Sequence, residues 1–130
     1  GLSRSGSNET SIDSGGKEGA VSRVVYEVVL KYCEVLDEFI NLFIDDASAR
    51  IEVMRHALTE HDLKTIRREC HALKGACLEM GVTSLGSCCD ALGKASRDNR
   101  VADLPDEFER LAAEFQRVRP IFEEGRARPD

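Results

Sequence analysis

Apolar residues recur every three or four positions through most of the chain. Leu36, Phe39, Ile40, Phe43, Ala47, Ile51, Met54 and Leu58 form one such stripe and predict a long amphipathic helix. Leu63, Ile66, Cys70, Leu73, Cys77 and Met80 repeat the rhythm, with Asp62 placed as an N-cap and Gly81 as the stop. A third stripe runs through Leu85, Cys88, Cys89, Leu92 and Ala95, with Thr83 or Ser84 as its cap and Asn99 in the turn beyond. A fourth runs through Phe108, Leu111, Phe115, Val118 and Phe122. Asp103 would cap it, with Pro105 in the first turn and Asp106 as the reciprocal capping partner. Proline is missing from Gly1 to Leu104, so nothing forces a break there.

The run VVYEVVLKY, residues 24–32, is β-branched and by propensity favours a strand. No second strand is visible to pair with it, so it is assigned to a short helix across the end of the bundle. The expected fold is all-α: an up-down-up-down four-helix bundle with a short additional N-terminal helix. Residues 1–19 are rich in Gly, Ser and polar side chains and read as a flexible linker or an expression remnant. The bundle should occupy 20–124, and 125–130 should be a frayed tail. Without an initiating Met, the chain is expected to be a piece of a longer one.

Its 130 residues fit one domain with one core. The net charge of −6 argues against nucleic acid or an anionic membrane as partner. No apolar run approaches the ~20 residues of a membrane span, and no secretory signal is visible. Five cysteines, an odd number without repeated spacing, argue against a disulfide framework and for reduced thiols in the cytoplasm.

The chemistry lies in CHALKGACLEMG, residues 70–81. A glycine inside a helix costs about 1 kcal/mol relative to alanine, yet Gly75 sits in mid-pattern, four residues after His71 and one after Lys74. On a helical wheel His71 falls about 130° from the centre of the apolar stripe, on the solvent side. Lys64, Arg67, Lys74, Gly75 and Leu78 lie within about 60° of it. Gly75 leaves a gap beside the imidazole, and Arg67 and Lys74 surround the gap with positive charge. A neutral imidazole is nucleophilic, and cations would stabilise an arriving anionic group such as a phosphoryl. An exposed histidine among basic residues is also what a plain solvated helix face looks like, and spacing alone leaves both readings open.

Two other chemistries fit less well. Cys70, His71, Cys77, Cys88 and Cys89 are potential metal ligands, but Cys70 and Cys77 fall on the buried stripe and His71 opposite it. No metal site is expected. A cysteine enzyme needs an electropositive, open thiol, which the buried stripe does not offer.

His71-Ala72-Leu73-Lys74-Gly75, with Gly81 ten residues after the histidine, resembles the H-x-L-K-G signature of the histidine-containing phosphotransfer (HPt) family. Residues 42–75 also look like that family, and the similarity covers roughly 21–124. The resemblance implies a phosphorelay intermediate. His71 would accept a phosphoryl group, through Nε2, from a receiver-domain aspartate and pass it to another. Lys74 would neutralise the phosphoryl oxygens, and Gly75 would clear space for the receiver. Lys64, Arg67, Leu78 and Glu79 would form the docking surface, with Leu42 or Val53 as additions. The protein would be a monomeric, cytoplasmic carrier rather than an enzyme, either standing alone or linked to a sensor kinase. It would need no cofactor of its own, since the Mg²⁺ of such transfers belongs to the receiver. The chain departs from the family after Gly75, where Ala76, Cys77, Leu78 and Glu79 stand in place of small polar residues. A histidine kinase dimerisation domain is the nearest rival. It normally has an acidic residue after the histidine, where this chain has Ala72, and an ATPase domain downstream. A helical adaptor binding receivers without chemistry is the other alternative.

Overall fold

In the computed structural model of the chain, residues 16–125 are described, with side chains from Ser22 onward. Four helices follow one another: α1 (Gly16–Thr59), α2 (Leu63–Met80), α3 (Thr83–Arg97) and α4 (Leu104–Glu124). A single 3₁₀ turn, Val101–Asp103, precedes α4. There is no strand among the described residues, and the architecture is the expected four-helix bundle. Residues 1–15 of the expected linker and 126–130 of the expected tail lie outside the described residues. Gly16 opens α1, so the linker assignment gives way to helix for its last few residues.

Contacts divide the chain into two units between Asp37 and Glu38. The second unit holds the core. Phe43, Ala47, Ile51 and Met54 of α1 are buried with Ile66, Cys70, Leu73 and Cys77 of α2. Leu85, Cys89, Leu92 and Ala95 of α3 and Phe108, Leu111, Phe115 and Val118 of α4 complete it. These are the four predicted stripes. Burying each large side chain contributes roughly 1.5–3 kcal/mol, which is why a 3.6-residue rhythm predicts the bundle so well.

Three predicted details change. Residues 24–32 are helical, but as part of α1 and not as a separate short helix, and all their apolar side chains are exposed. Leu36 and Phe39 of the first stripe are exposed as well. Periodicity marks a face without saying whether anything covers it. Finally, neither Thr83 nor Ser84 caps α3. Val82 holds the cap position with no side-chain hydrogen bond, and Ser84 instead hydrogen-bonds Glu114 of α4. Asp103 holds the N-cap position of α4 as expected, with Pro105 in the first turn, but makes no side-chain cap hydrogen bond. Its carboxylate accepts from Arg100 at 2.6 Å.

The loops repeat one device. His61, Gly81 and Asn99 each have positive φ, of 55°, 73° and 57°. Behind each, the next residue's N–H reaches back to a carbonyl five positions earlier: Asp62 to Ala57, Val82 to Cys77, Arg100 to Ala95. These are Schellman stops, which need one left-handed residue apiece. Asp62 then caps α2, its carboxylate accepting from the Thr65 amide at 3.1 Å and from the Thr65 hydroxyl at 2.6 Å. A capped start and a Schellman stop set α2's register and hence its outward face.

Candidate functional site

Because Ile66, Cys70, Leu73 and Cys77 point into the core, the opposite face of α2 points out. His71 is exposed, as are Lys64, Arg67, Leu78 and Glu79. Leu78 is 67% exposed despite being apolar. A Cβ built on Gly75 would meet nothing within 4 Å. Gly75 therefore answers to no packing constraint inside the bundle, and the space beside His71 is open.

The neighbouring helix completes the site. On α3, a Cβ at Gly93 would lie 3.5 Å from the Cys70 Cβ, and one at Gly86 3.6 Å from the Cys77 Cβ. Two glycines one heptad apart thus face two small cysteines one heptad apart, and α2 and α3 approach closely along that seam. The approach brings Asp90 to the signature: its Oδ1 lies 2.7 Å from Lys74 Nζ. Between the helices runs a groove of about 190 Å³, lined by Arg67, His71 and Lys74 on one side and Asp90, Gly93 and Arg97 on the other, with Cys70 and Cys89 beneath. The Arg97 guanidinium folds back over Gly93, its Nη1 3.7 Å from the position of a Gly93 Cβ.

Sequence reasoning brought His71, Lys74, Gly75 and Arg67 together but missed Asp90, Gly93 and Arg97. Their spacing of three and four on one face of α3 was the available signal. Lys64, Leu78 and Glu79 lie outside the groove. Val53 lines a different groove of about 590 Å³, with His56, Glu60, Asp62 and Arg68, away from the signature residues. Leu42 is exposed on α1 and lines neither groove.

The thiols beneath the groove are poor nucleophiles. Burial first, and then Glu69, pushes the Cys70 thiol up to about 12, against a smaller opposing pull from Arg97. The Cys89 thiol is also raised, chiefly by its hydrogen bond with Cys77 and then by burial. Among the described residues no group of three or more His, Cys, Asp or Glu side chains is arranged to hold a metal ion. No described helix is long and apolar enough to cross a membrane.

Fold and site together define a helical bundle that displays one imidazole in a basic groove. The Hpt domain family model matches residues 38–120, and the chain belongs to that family. The match begins where the second compact unit begins. Among solved structures, the chain is similar to histidine-containing phosphotransfer protein B (HptB) from Pseudomonas aeruginosa PAO1. That match has 25% sequence identity and a TM-score of 0.72, and covers 83% of this chain and 94% of the other. Among curated protein sequences, none matches at a significant level.

Proposed function

We propose that this protein is a phosphorelay intermediate in which His71 takes a phosphoryl group from the aspartyl phosphate of one receiver domain and gives it to the aspartate of another. The observation that carries the reading is an exposed imidazole between Arg67 and Lys74, with open space at Gly75. The Nε2 lone pair of a neutral His71 attacks phosphorus. The N–P bond forms as the aspartyl O–P bond breaks, and the receiver carboxylate leaves with the electron pair. The Nδ1 proton of the resulting phosphoimidazolium then passes to water. Lys74 and Arg67 neutralise the phosphoryl oxygens. Onward transfer is the reverse displacement by the second receiver. Lys64, Leu78 and Glu79 serve as rim contacts for the receiver, which brings its own Mg²⁺. The protein carries the group and does not turn over alone. It acts as a cytoplasmic monomer, where receiver domains are met.

A phosphorylated receiver should label the protein with an acid-labile, alkali-stable phosphate. His71→Gln should abolish the label while leaving the helical circular dichroism and melting curve intact. Labelling that survives in that variant would put the nucleophile elsewhere. A protein that binds receivers tightly but never takes label would be the adaptor instead.

A further inference from the structure

Lys74 is already engaged before any phosphoryl group arrives. Its ammonium sits 2.7 Å from Asp90 Oδ1, on the facing helix and in the same groove as His71. We propose that Asp90 is a positioning residue that competes with the phosphoryl group for Lys74, and so limits how long the phosphohistidine lasts. This rests on the phosphoacceptor role of His71.

The pair is built to be exchanged. The Lys74 side chain is 40% exposed and that of Asp90 60%, and ion pairs this open to water are weak. A phosphoryl group carries up to about two negative charges against the carboxylate's one. It can therefore draw Lys74 away, and Lys74 stands at i+3 from His71, on the same helix face. Drawing Lys74 away breaks its pair with Asp90, so the loss of that pair offsets part of the lysine's attraction for the phosphoryl group. Arg97, folded over Gly93, and Arg67 supply the remaining positive charge. Asp90 thus makes the loaded carrier less stable than the cations alone would. A carrier that must release its cargo to a second aspartate gains from that.

The test avoids receivers. Wild type, Asp90→Asn, Asp90→Glu, Lys74→Ala and the Asp90→Asn/Lys74→Ala double variant are phosphorylated chemically with phosphoramidate. Loss of phosphohistidine is then followed by ³¹P NMR. In that loss a water oxygen bonds to phosphorus, the N–P bond breaks with its electron pair returning to Nε2, and inorganic phosphate leaves. Asp90→Asn should lengthen the lifetime about two- to fivefold, the range of an exposed charge interaction. Asp90→Glu, which can still reach Lys74, should restore the wild-type lifetime. In the Lys74→Ala background most of the lengthening should vanish. Equal lifetimes for wild type and Asp90→Asn would overturn the proposal, as would failed rescue by Asp90→Glu or undiminished lengthening without Lys74. If wild-type His71 takes no label from phosphoramidate, the phosphoacceptor reading and this proposal fall together. If His71 is labelled and only the Asp90 variants behave like wild type, the role of Asp90 falls alone.

Discussion

Arg50 Nη1 on α1 donates to Glu69 Oε1 on α2 at 2.8 Å, and Glu69 is only 7% exposed. Glu69 is the one buried charged residue among those described. Arg50 also donates to Asp46 at 3.0 Å, and Arg68 approaches Glu69 at 3.5 Å. The two carboxylates, that of Glu69 first, hold the Arg50 guanidinium above its usual range. The link clamps α1 to the turn of α2 just before His71.

Removing one partner should cost more than removing both, since a buried carboxylate left without its main donor retains its desolvation penalty. Arg50→Ala should therefore lower stability by about 1–3 kcal/mol in urea unfolding. Arg50→Met with Glu69→Leu should recover most of that loss. A double variant as unstable as the single would mean that the charge pair itself, rather than the orphaned carboxylate, sets the cost.

At Gly75, stability and the proposed transfer should respond in opposite directions. With open space around its Cβ position, Gly75→Ala should raise helix stability by up to about 1 kcal/mol. Transfer from a receiver should slow at the same time, and more so for Gly75→Leu. Faster or unchanged transfer in both variants would remove the steric argument for this glycine.

The helix stops predict opposite signs for two substitutions. Gly81 holds φ of 73°, so Gly81→Ala should destabilise by about 1 kcal/mol. His61 adopts φ of 55° with a full side chain, and His61→Gly should stabilise by a few tenths to about 1 kcal/mol. Thermal melts of both variants against wild type read the two signs directly.

Glu114 carries the acid sensitivity most open to test. Its hydrogen bonds with Arg117 first, and then with Ser84, hold its carboxyl at about 2, below the ordinary 4.5. A carboxylate with a depressed folded-state value contributes stability above its unfolded value and loses it as pH falls through the folded one. Wild type should thus exceed Glu114→Gln in urea midpoint at pH 7. The gap should narrow between about pH 4.5 and pH 2. The gap should be small, because Arg117 is largely exposed and solvent screens the pair. A gap that stays constant across that range would assign the effect of Glu114 to packing.

Thiol accessibility follows the core. Cys70, Cys77 and Cys89 are buried, while Cys33 and Cys88 are half-buried. Burial also raises the Cys88 thiol. In native protein at pH 8 a thiol reagent should reach Cys33 first and leave Cys70 untouched until denaturant is added. Rapid native labelling of Cys70 would show that α2 and α3 separate readily beside His71.

The four stripes, the Asp62 cap, the Gly81 stop and the outward direction of His71 were legible in the chain because each depends on spacing within about one or two helical turns. The α3 cap falls on Val82 instead, and Asp103 holds the α4 cap position without the capping bond, because Ser84 and Asp103 have competitors for their side chains, Glu114 and Arg100, and such competition is decided across space. Leu36 and Phe39 keep the rhythm of a core and are nonetheless exposed, since periodicity alone does not say which face is covered.

The sequence by itself determined a helical bundle with His71, Arg67, Lys74 and Gly75 on one solvent face, since a regular 100° step per residue settles which side chains share a side. Only the tertiary structure decided what faces them. The Gly86–Cys77 and Gly93–Cys70 contacts let α3 come close enough to set Asp90 on Lys74 and to lay Arg97 along the groove. A helix's own periodicity carries no information about its neighbour's distance or rotation; the packing of small residues between helices does.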